Sequence, residues 1–415
     1  MRRLLGRARA TPAERADGRA APGHGPRLAF VVPRYGADVV GGAETLVRGL
    51  AEHLAASGSA VEVLTTCARD HLSWKNVLPA GASREAGVVV RRFPVRLRDT
   101  RRHAWLQQRI LRGSRLRPKE EARWAEESVG STELFDHLTR RQGDYDLVCF
   151  APYLFGTTLR GVPLVPGRAV LIPCLHDEPF AHLGVVREAF QACRGFIFNS
   201  PPEAALAEKL YGIGDRPAGV VGLGFDPPPP ADPAALRRRH GLEGPLLFYL
   251  GRKETGKNVP LLIEYALRYR AVRGSDLTLV LAGDGPVTAP PGTPGVRDLG
   301  YLDAAAKAAA YAAATVVCQP SVNESFSIVL MEAWLAGTPV LVHARCAVTT
   351  HHVLSAGGGL AFEDFYEFAE ALDLLLEDAE RRRLLGDQGR AYVEAMYSWP
   401  AVTARLHETL ERLVA

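Results

Sequence analysis

Two series of short, largely apolar runs, with helical spacing between the runs, govern what this chain can fold into. The first series holds Leu28–Val32, Val61–Leu64, Val88–Val90, Tyr145–Phe150, Ala169–Ile172 and Gly195–Phe198; between its first two runs, Leu46, Leu50 and Leu54 fall at helical intervals in 43–56. Strands that are apolar along their whole length are covered on both faces, the pattern of a parallel sheet flanked by helices. Asp226-Pro-Pro-Pro-Pro-Ala-Asp-Pro233 then interrupts the series. Proline fixes φ and has no amide hydrogen, so this segment reads as a stiff linker. The pattern restarts at Leu246–Leu250, Leu277–Ala282, Thr315–Cys318 and Pro339–Val342. Helices are expected over Val259–Val272, Ala304–Ala313, Ile328–Ala336, Phe365–Leu376, Ala379–Tyr397 and Ala401–Val414. The expected fold is α/β, with two Rossmann-like doubly wound domains, 27–225 and 226–397, facing a central cleft. A ligand belongs at the strand C-terminal ends in that cleft.

Composition narrows the function classes. The 415 residues are 47% hydrophobic and 23% charged, which suits a globular protein, and no run approaches the ~18 apolar residues of a membrane-spanning helix. Six well-separated cysteines without a CxxC pair fit buried thiols in a reducing, cytoplasmic compartment. The net charge of +4 hides two local features. Residues 1–27 carry +5, mostly in a tail (1–26) of Ala, Arg, Gly and Pro that is expected to be disordered. Residues 91–119 carry +10. Only six of the 50 basic residues are lysines, so arginine runs are partly a compositional bias.

The strongest chemical signal is Ser321-Val-Asn-Glu-Ser-Phe-Ser-Ile-Val-Leu-Met-Glu-Ala-Trp-Leu-Ala-Gly-Thr-Pro-Val340. Glu324 is expected just before a helix and Glu332 two turns inside it, roughly 12 Å further along the axis at the helical rise. That span suits an elongated anionic ligand with hydroxyls at both ends. Ser325, Phe326 and Ser327 would offer the helix's first, unpaired amides to it. The bland alternative, a serine-capped surface helix with a solvated Glu332, has the same periodicity. Arg252 and Lys257 follow the strand Leu246–Leu250, where a guanidinium and an ammonium suit a pyrophosphate leaving group. Gly36, Gly41 and Gly42 do not spell G-x-G-x-x-G, and no acid follows at the dinucleotide spacing, which disfavours a nicotinamide enzyme.

Taken in order, these motifs resemble the family-4 retaining glycosyltransferases of the GT-B fold. Glu-x7-Glu followed by Ala-Trp-Leu-Ala-Gly-Thr-Pro-Val resembles the family's donor signature. Tyr249-Leu-Gly-Arg-Lys-Glu-Thr-Gly-Lys-Asn258, Leu281-Ala-Gly-Asp-Gly-Pro286, Leu299-Gly-Tyr-Leu302 and the loop Pro33-Arg-Tyr-Gly with Gly41-Gly-Ala-Glu44 resemble its other strand ends. The resemblance implies a retaining hexosyl transfer from a nucleotide sugar, UDP-linked in preference to GDP-linked, to an unidentified acceptor. A non-catalytic nucleotide-sugar-binding protein stays open as the alternative. Implied roles are catalytic for Arg252, Lys257, Glu324 and His176, with Glu332 on the ribose and Tyr301 and Leu302 by the base. Gly41, Gly42, Gly251, Ser325, Phe326 and Ser327 are implied around the donor. Glu44, Asp177 and Glu178 fall on the acceptor side, and the segment 398–415 crosses back to the first domain. No cofactor and no metal are expected.

The remaining features are weighed on the same terms. Cys174-Leu-His-Asp-Glu-Pro-Phe-Ala-His182 is rich in ligand types, but its spacing is not H-E-x-x-H and Pro179 interrupts any helix that would align them. Asp144-Tyr-Asp146 lies at the wrong end of its strand for a ligand, and Asn323-Glu-Ser325 is a sequon by accident. His343, His351 and His352 occupy a loop where the family pattern has glycines, so contacts there are open. Within 91–119, Trp105, Leu106, Ile110 and Leu111 alternate with Arg101, Arg102, Arg109, Arg112 and Arg115; this is either a surface for anionic membrane at the inner face or a solvated helix. Nucleic-acid binding is not expected, since no recognition motif accompanies the charge.

Overall fold

The computed structural model describes residues 25–39 and 41–415; most of the tail 1–26 lies outside them. The first domain is built on an eight-stranded sheet: Arg27–Val31 (β1), Ala60–Thr66 (β2), Gly81–Glu85 (β3), Val88–Phe93 (β4), Leu147–Phe150 (β5), Ala169–Leu171 (β6), Gly195–Phe198 (β7) and Ala218–Val220 (β8). Its order is β3-β4-β2-β1-β5-β6-β7-β8, and only the β3–β4 pair is antiparallel. The second domain carries a parallel six-stranded sheet: Leu246–Leu250 (β9), Thr278–Ala282 (β10), Val296–Asp298 (β11), Val316–Gln319 (β12), Val340–His343 (β13) and Gly359–Phe362 (β14), in the order β11-β10-β9-β12-β13-β14. The strand order reverses at β1 in one sheet and at β9 in the other. A doubly wound sheet opens its ligand crevice at that point. The loops after β1 and β9 are the ones that carry the glycine and Arg/Lys motifs.

Most of the expected strands are present with ends shifted by one to three residues. Strand β3 was not expected. Gly-Ala-Ser-Arg-Glu has no apolar run, because an exposed edge strand needs none. Arg92 on β4 anchors it, with Nη1 2.7 Å from Glu85 and 3.1 Å from Ser83 Oγ, while Nη2 donates to the Tyr35 carbonyl. The proline run is linker only as far as Asp232. Pro233 sits at the first position of helix Pro233–His240, where its missing amide hydrogen costs nothing, and Asp232 caps that helix through Ala235 N.

Helix Trp399–Val414 leaves the second domain and lies against β8 and helix Gly42–Ala56. Arg194 Nη2 donates to the Val414 carbonyl, and Arg412 and Arg405 donate to the carbonyls of Ala218 and Val221. Where the chain crosses, Phe225 N donates to the Tyr397 carbonyl at 2.8 Å, so the outgoing and returning segments run side by side. Trp399 fills the joint. It stacks on His53 at 3.6 Å, and the absent side chains of Gly49 and Gly224 make room for it.

A Cβ on Gly49 would stand 2.4 Å from the Trp399 ring. Gly49→Ala is therefore expected to destabilise the protein by about 1–3 kcal/mol, the usual cost of overpacking. Thermal unfolding checks it: an unchanged Tm would mean that the indole is not held in this slot.

Candidate functional site

The two crevices face each other and enclose a cavity of about 510 Å³. From the first domain it is lined by Arg34, Gly41, Gly42, Glu44, Leu154, Phe155 and His176, and from the second by Gly251, Arg252, Lys257, Glu324 and Ser325–Ser327, among others.

On the second-domain wall, Lys257 closes a single 3-10 turn after β9 and Glu324 follows β12, the strand beside β9. Their side chains meet at 2.7 Å, and Gln319 Nε2 donates to the same carboxylate at 3.3 Å. Asn258 starts the next helix with φ 60°, and its side chain donates to the Pro320 carbonyl, tying the two loops together. Arg252 is exposed and pairs with Glu254 at 3.2 Å. The other lysine of this loop, Lys253, is buried against Asp298 and braces the loop to β11. Gly251 and Gly283 pack backbone to backbone: with Gly283 at φ 104°, any Cβ there would stand 2.2 Å from the Gly251 carbonyl.

The donor helix begins where its apolar spacing puts it, at Ile328, and not directly after Glu324 as the two-turn reading of Glu332 requires. It spans Ile328–Leu335, with Ser327 left-handed at φ 73° as its cap, so Ser325, Phe326 and Ser327 form a loop and not its first turn. Glu332 is consequently one turn into the helix, not two, and the 12 Å axial spacing does not apply. The loop still presents donors: among the described residues, the amides of Ser325, Phe326 and Ser327 have no hydrogen-bond partner. Glu332 does not line the cavity; Lys307 and Tyr311 both bond its carboxylate, Tyr311 Oη at 2.9 Å. Tyr301 is 65% exposed, and neither it nor Leu302 lines the cavity.

On the first-domain wall, Gly41 precedes helix Gly42–Ala56, and a Cβ there would fall 2.1 Å from Glu44 Oε2. Glu44 pairs at 2.6 Å with Arg34, both side chains being buried. Its carboxylate is thus occupied at the base of the wall. Arg34 was passed over as one arginine among 44; its place right after the first strand, inside the glycine loop, was the available signal. His176 Nδ1 lies 3.5 Å from Glu178, which also accepts from Tyr153 Oη at 2.7 Å. Burial opposes ionisation of Glu178, but the bonds from His176 and Tyr153 and the charge of Lys257 outweigh it and lower its pKa. Asp177 faces away and pairs with His182 at 3.0 Å. Across the cleft, Ser200 Oγ donates to the Ser325 carbonyl at 2.9 Å, a contact no motif announced.

Residues 234–392 match the family model described as "Glycosyl transferases group 1". The D-inositol 3-phosphate glycosyltransferase of Stackebrandtia nassauensis is 31% identical over 245 residues, 54% of this chain and 55% of that protein. Residues 234–392 thus carry the likeness to the group 1, family-4-like glycosyltransferases. The chain spans about half the length of the curated relatives it matches. The GT-B fold of the chain is shared by solved structures. Sucrose-phosphate synthase from Thermosynechococcus elongatus superposes with TM-score 0.68 at 20% identity, covering 94% of this chain and 99% of that one. The Anabaena protein HepE in complex with UDP superposes with TM-score 0.67 at 16% identity, covering 93% and 99%.

Behind the Ser325–Ser327 loop, fully buried His352 stacks edge-on to Phe326 at 5.3 Å and to Tyr397 at 5.8 Å, with Nδ1 3.0 Å from Tyr392 Oη. Burial, with the charge of His351 adding to it, pushes its pKa from 6.5 down to about 3. The ring stays neutral when folded and takes a proton in the unfolded chain below pH 6.5. Its stabilising contribution is therefore complete above pH 6.5 and is lost as the pH falls towards 3, at up to about 1.4 kcal/mol per pH unit. Removing it with His352→Gln should flatten the stability–pH curve between pH 6.5 and 5, whatever the variant's absolute stability. An unchanged slope in denaturant titrations would show that this ring is not the group being titrated.

Proposed function

We propose that this protein is a retaining glycosyltransferase that moves a hexosyl group from a UDP-sugar to an acceptor held against the first-domain wall. The observation that carries the reading is the meeting of Lys257 and Glu324 beside Arg252, at the reversal point of the second sheet. Lys257 and Arg252 take the donor pyrophosphate, helped by the free amides of Ser325–Ser327. Glu324 orients both Lys257 and the sugar. Glu332 takes the ribose hydroxyls by exchanging Lys307 and Tyr311 for them, and Tyr301 and Leu302 flank the base. UDP is favoured because it is the nucleotide in the complex of the Anabaena protein. The cations leave no electrostatic need for a metal.

Transfer then proceeds at the front face, a route that requires no protein nucleophile. The acceptor hydroxyl attacks the anomeric carbon on the side from which UDP departs, and its proton passes to the leaving phosphate oxygen. His176 faces the sugar from the first domain, while Leu154, Phe155 and His71 receive the acceptor. A phosphorylated polyol is the first acceptor to try, since the relative from Stackebrandtia nassauensis is named for inositol 3-phosphate. A thermal-shift screen of nucleotide sugars, followed by product mass, tests donor and acceptor. Hydrolysis of the donor without acceptor separates an enzyme from a binding protein.

Lys257→Ala should lower kcat/KM by about 10²–10³, the scale for losing one charge contact to the transition state. A loss smaller than about fivefold would contradict its role, since each tenfold step is only about 1.4 kcal/mol.

We propose separately that the protein docks peripherally on the cytoplasmic face of a membrane. Among the described residues no helix is long and apolar enough to cross one. In helix Thr100–Leu111, Leu106 and Ile110 are core, whereas Trp105 and Leu111 are 56% and 48% exposed beside Arg101, Arg102 and Arg112. Sedimentation with anionic vesicles should be strong at low salt and weaken with ionic strength, at ~1 kcal/mol per basic residue. Arg101→Glu with Arg102→Glu should abolish it; protein left in the supernatant at low salt would make this a solvated face.

A further inference from the structure

Glu203 is an acidic residue that the proposed reaction does not use, buried in the wall of the site that performs it. Its exposure is 1%, and it lies in the first turn of helix Pro201–Tyr211. Ser200-Pro-Pro-Glu203 has the spacing of a capping box, and Ser200 Oγ does accept from Glu203 N at 3.4 Å. The carboxylate, however, reaches beyond its own helix. Oε2 accepts from Asn199 N at 2.6 Å, and Oε1 accepts from Leu175 N at 2.7 Å and from Asn199 Nδ2 at 3.4 Å. Leu175 immediately precedes His176 in the loop after β6. Asn199 immediately precedes Ser200, the residue that bonds Ser325 across the cleft. One carboxylate thus ties together the ends of two adjacent strands.

We propose that Glu203 is a positioning residue that sets His176 in register with the donor loop through these two backbone amides. The inference rests on the glycosyl-transfer reading of the cleft. Cys174, next in the loop, has φ 51°, a left-handed value that a non-glycine residue keeps only when its surroundings impose it, and its sulfur meets Asn199 Nδ2 at 3.8 Å. Only a group with two acceptor oxygens satisfies both amides. Gln presents an NH2 group to one of them, and Asp is too short to reach both. Misplacement of a reacting group by about 1 Å costs up to about 10²-fold in rate, so the effect is expected in turnover. The nucleotide is held by the other domain.

The test is a double-mutant cycle on the purified full chain, with UDP-glucose hydrolysis or transfer as the rate and UDP affinity by calorimetry as the control. Glu203→Gln should lower kcat by about 10–10²-fold, with the Kd for UDP unchanged within about twofold. In the His176→Ala background Glu203→Gln should cost less than about threefold, because the residue it positions is gone. Equal losses in both backgrounds, or a parallel loss of UDP affinity, would make Glu203 a general stabiliser and overturn the proposal. If Glu203→Gln does not fold, Glu203→Asp, which keeps both oxygens but is too short to reach both amides, replaces it in the cycle with the same criteria. Wild-type protein that binds UDP but turns over no donor would instead defeat the glycosyl-transfer reading itself.

Discussion

The contact between Lys257 and Glu324 depends on a topological fact. Strand order in the second sheet reverses at β9, so the connections leaving β9 and β12 emerge side by side with no helix between them. Each brings one member of the pair. The surroundings then hold both: Gln319 on the carboxylate, Asn258 on the neighbouring loop, and Lys253 bracing the loop from behind. The pair is largely removed from water, where an unmatched charge is costly, so in the free protein each side chain serves as the other's counterion. On the proposed reading, a donor pyrophosphate would compete for the ammonium with a partner already in place. The site is arranged before the ligand arrives, which lowers the reorganisation that binding must drive.

Legibility followed the physics of each element. Strands buried on both faces are mostly apolar, so β1, β9 and β10 could be read directly, and with them the loops that end at the cleft. The edge strand β3 obeys no such rule, since water covers it and Arg92 holds it. The start of the donor helix was misplaced because serine at 325 looks like a cap. The decisive signal is the left-handed backbone of Ser327, which no propensity scale foresees in a non-glycine residue. Lys307 and Tyr311, which occupy Glu332, lie more than twenty residues from it in sequence. Arg34 and Ser200 sit at strand ends without a motif of their own, and their importance comes from what the fold sets opposite them.

The arginine bias has the same dual reading in structure as in sequence. Buried Arg34 and Arg92 are matched by Glu44 and Glu85, and half-buried Arg91 by Glu62. Each such pair fixes geometry more than it adds stability, because desolvation offsets much of the attraction. The surplus is exposed, concentrated around helix Thr100–Leu111, and it is this local excess, not the small net charge, that a charged partner would meet.

The returning helix Trp399–Val414 bears on how the protein is made. Its buried face, Val402, Leu406, Leu410 and Leu413, completes the core beside β8 and helix Gly42–Ala56, elements of the first domain. During synthesis those elements leave the ribosome with this apolar seam uncovered, and it stays uncovered while the whole second domain is translated. At about 5–20 residues per second the delay is on the order of ten seconds or more. The first domain therefore cannot reach its final packing on its own schedule; the last described helix sets the moment at which both domains become complete.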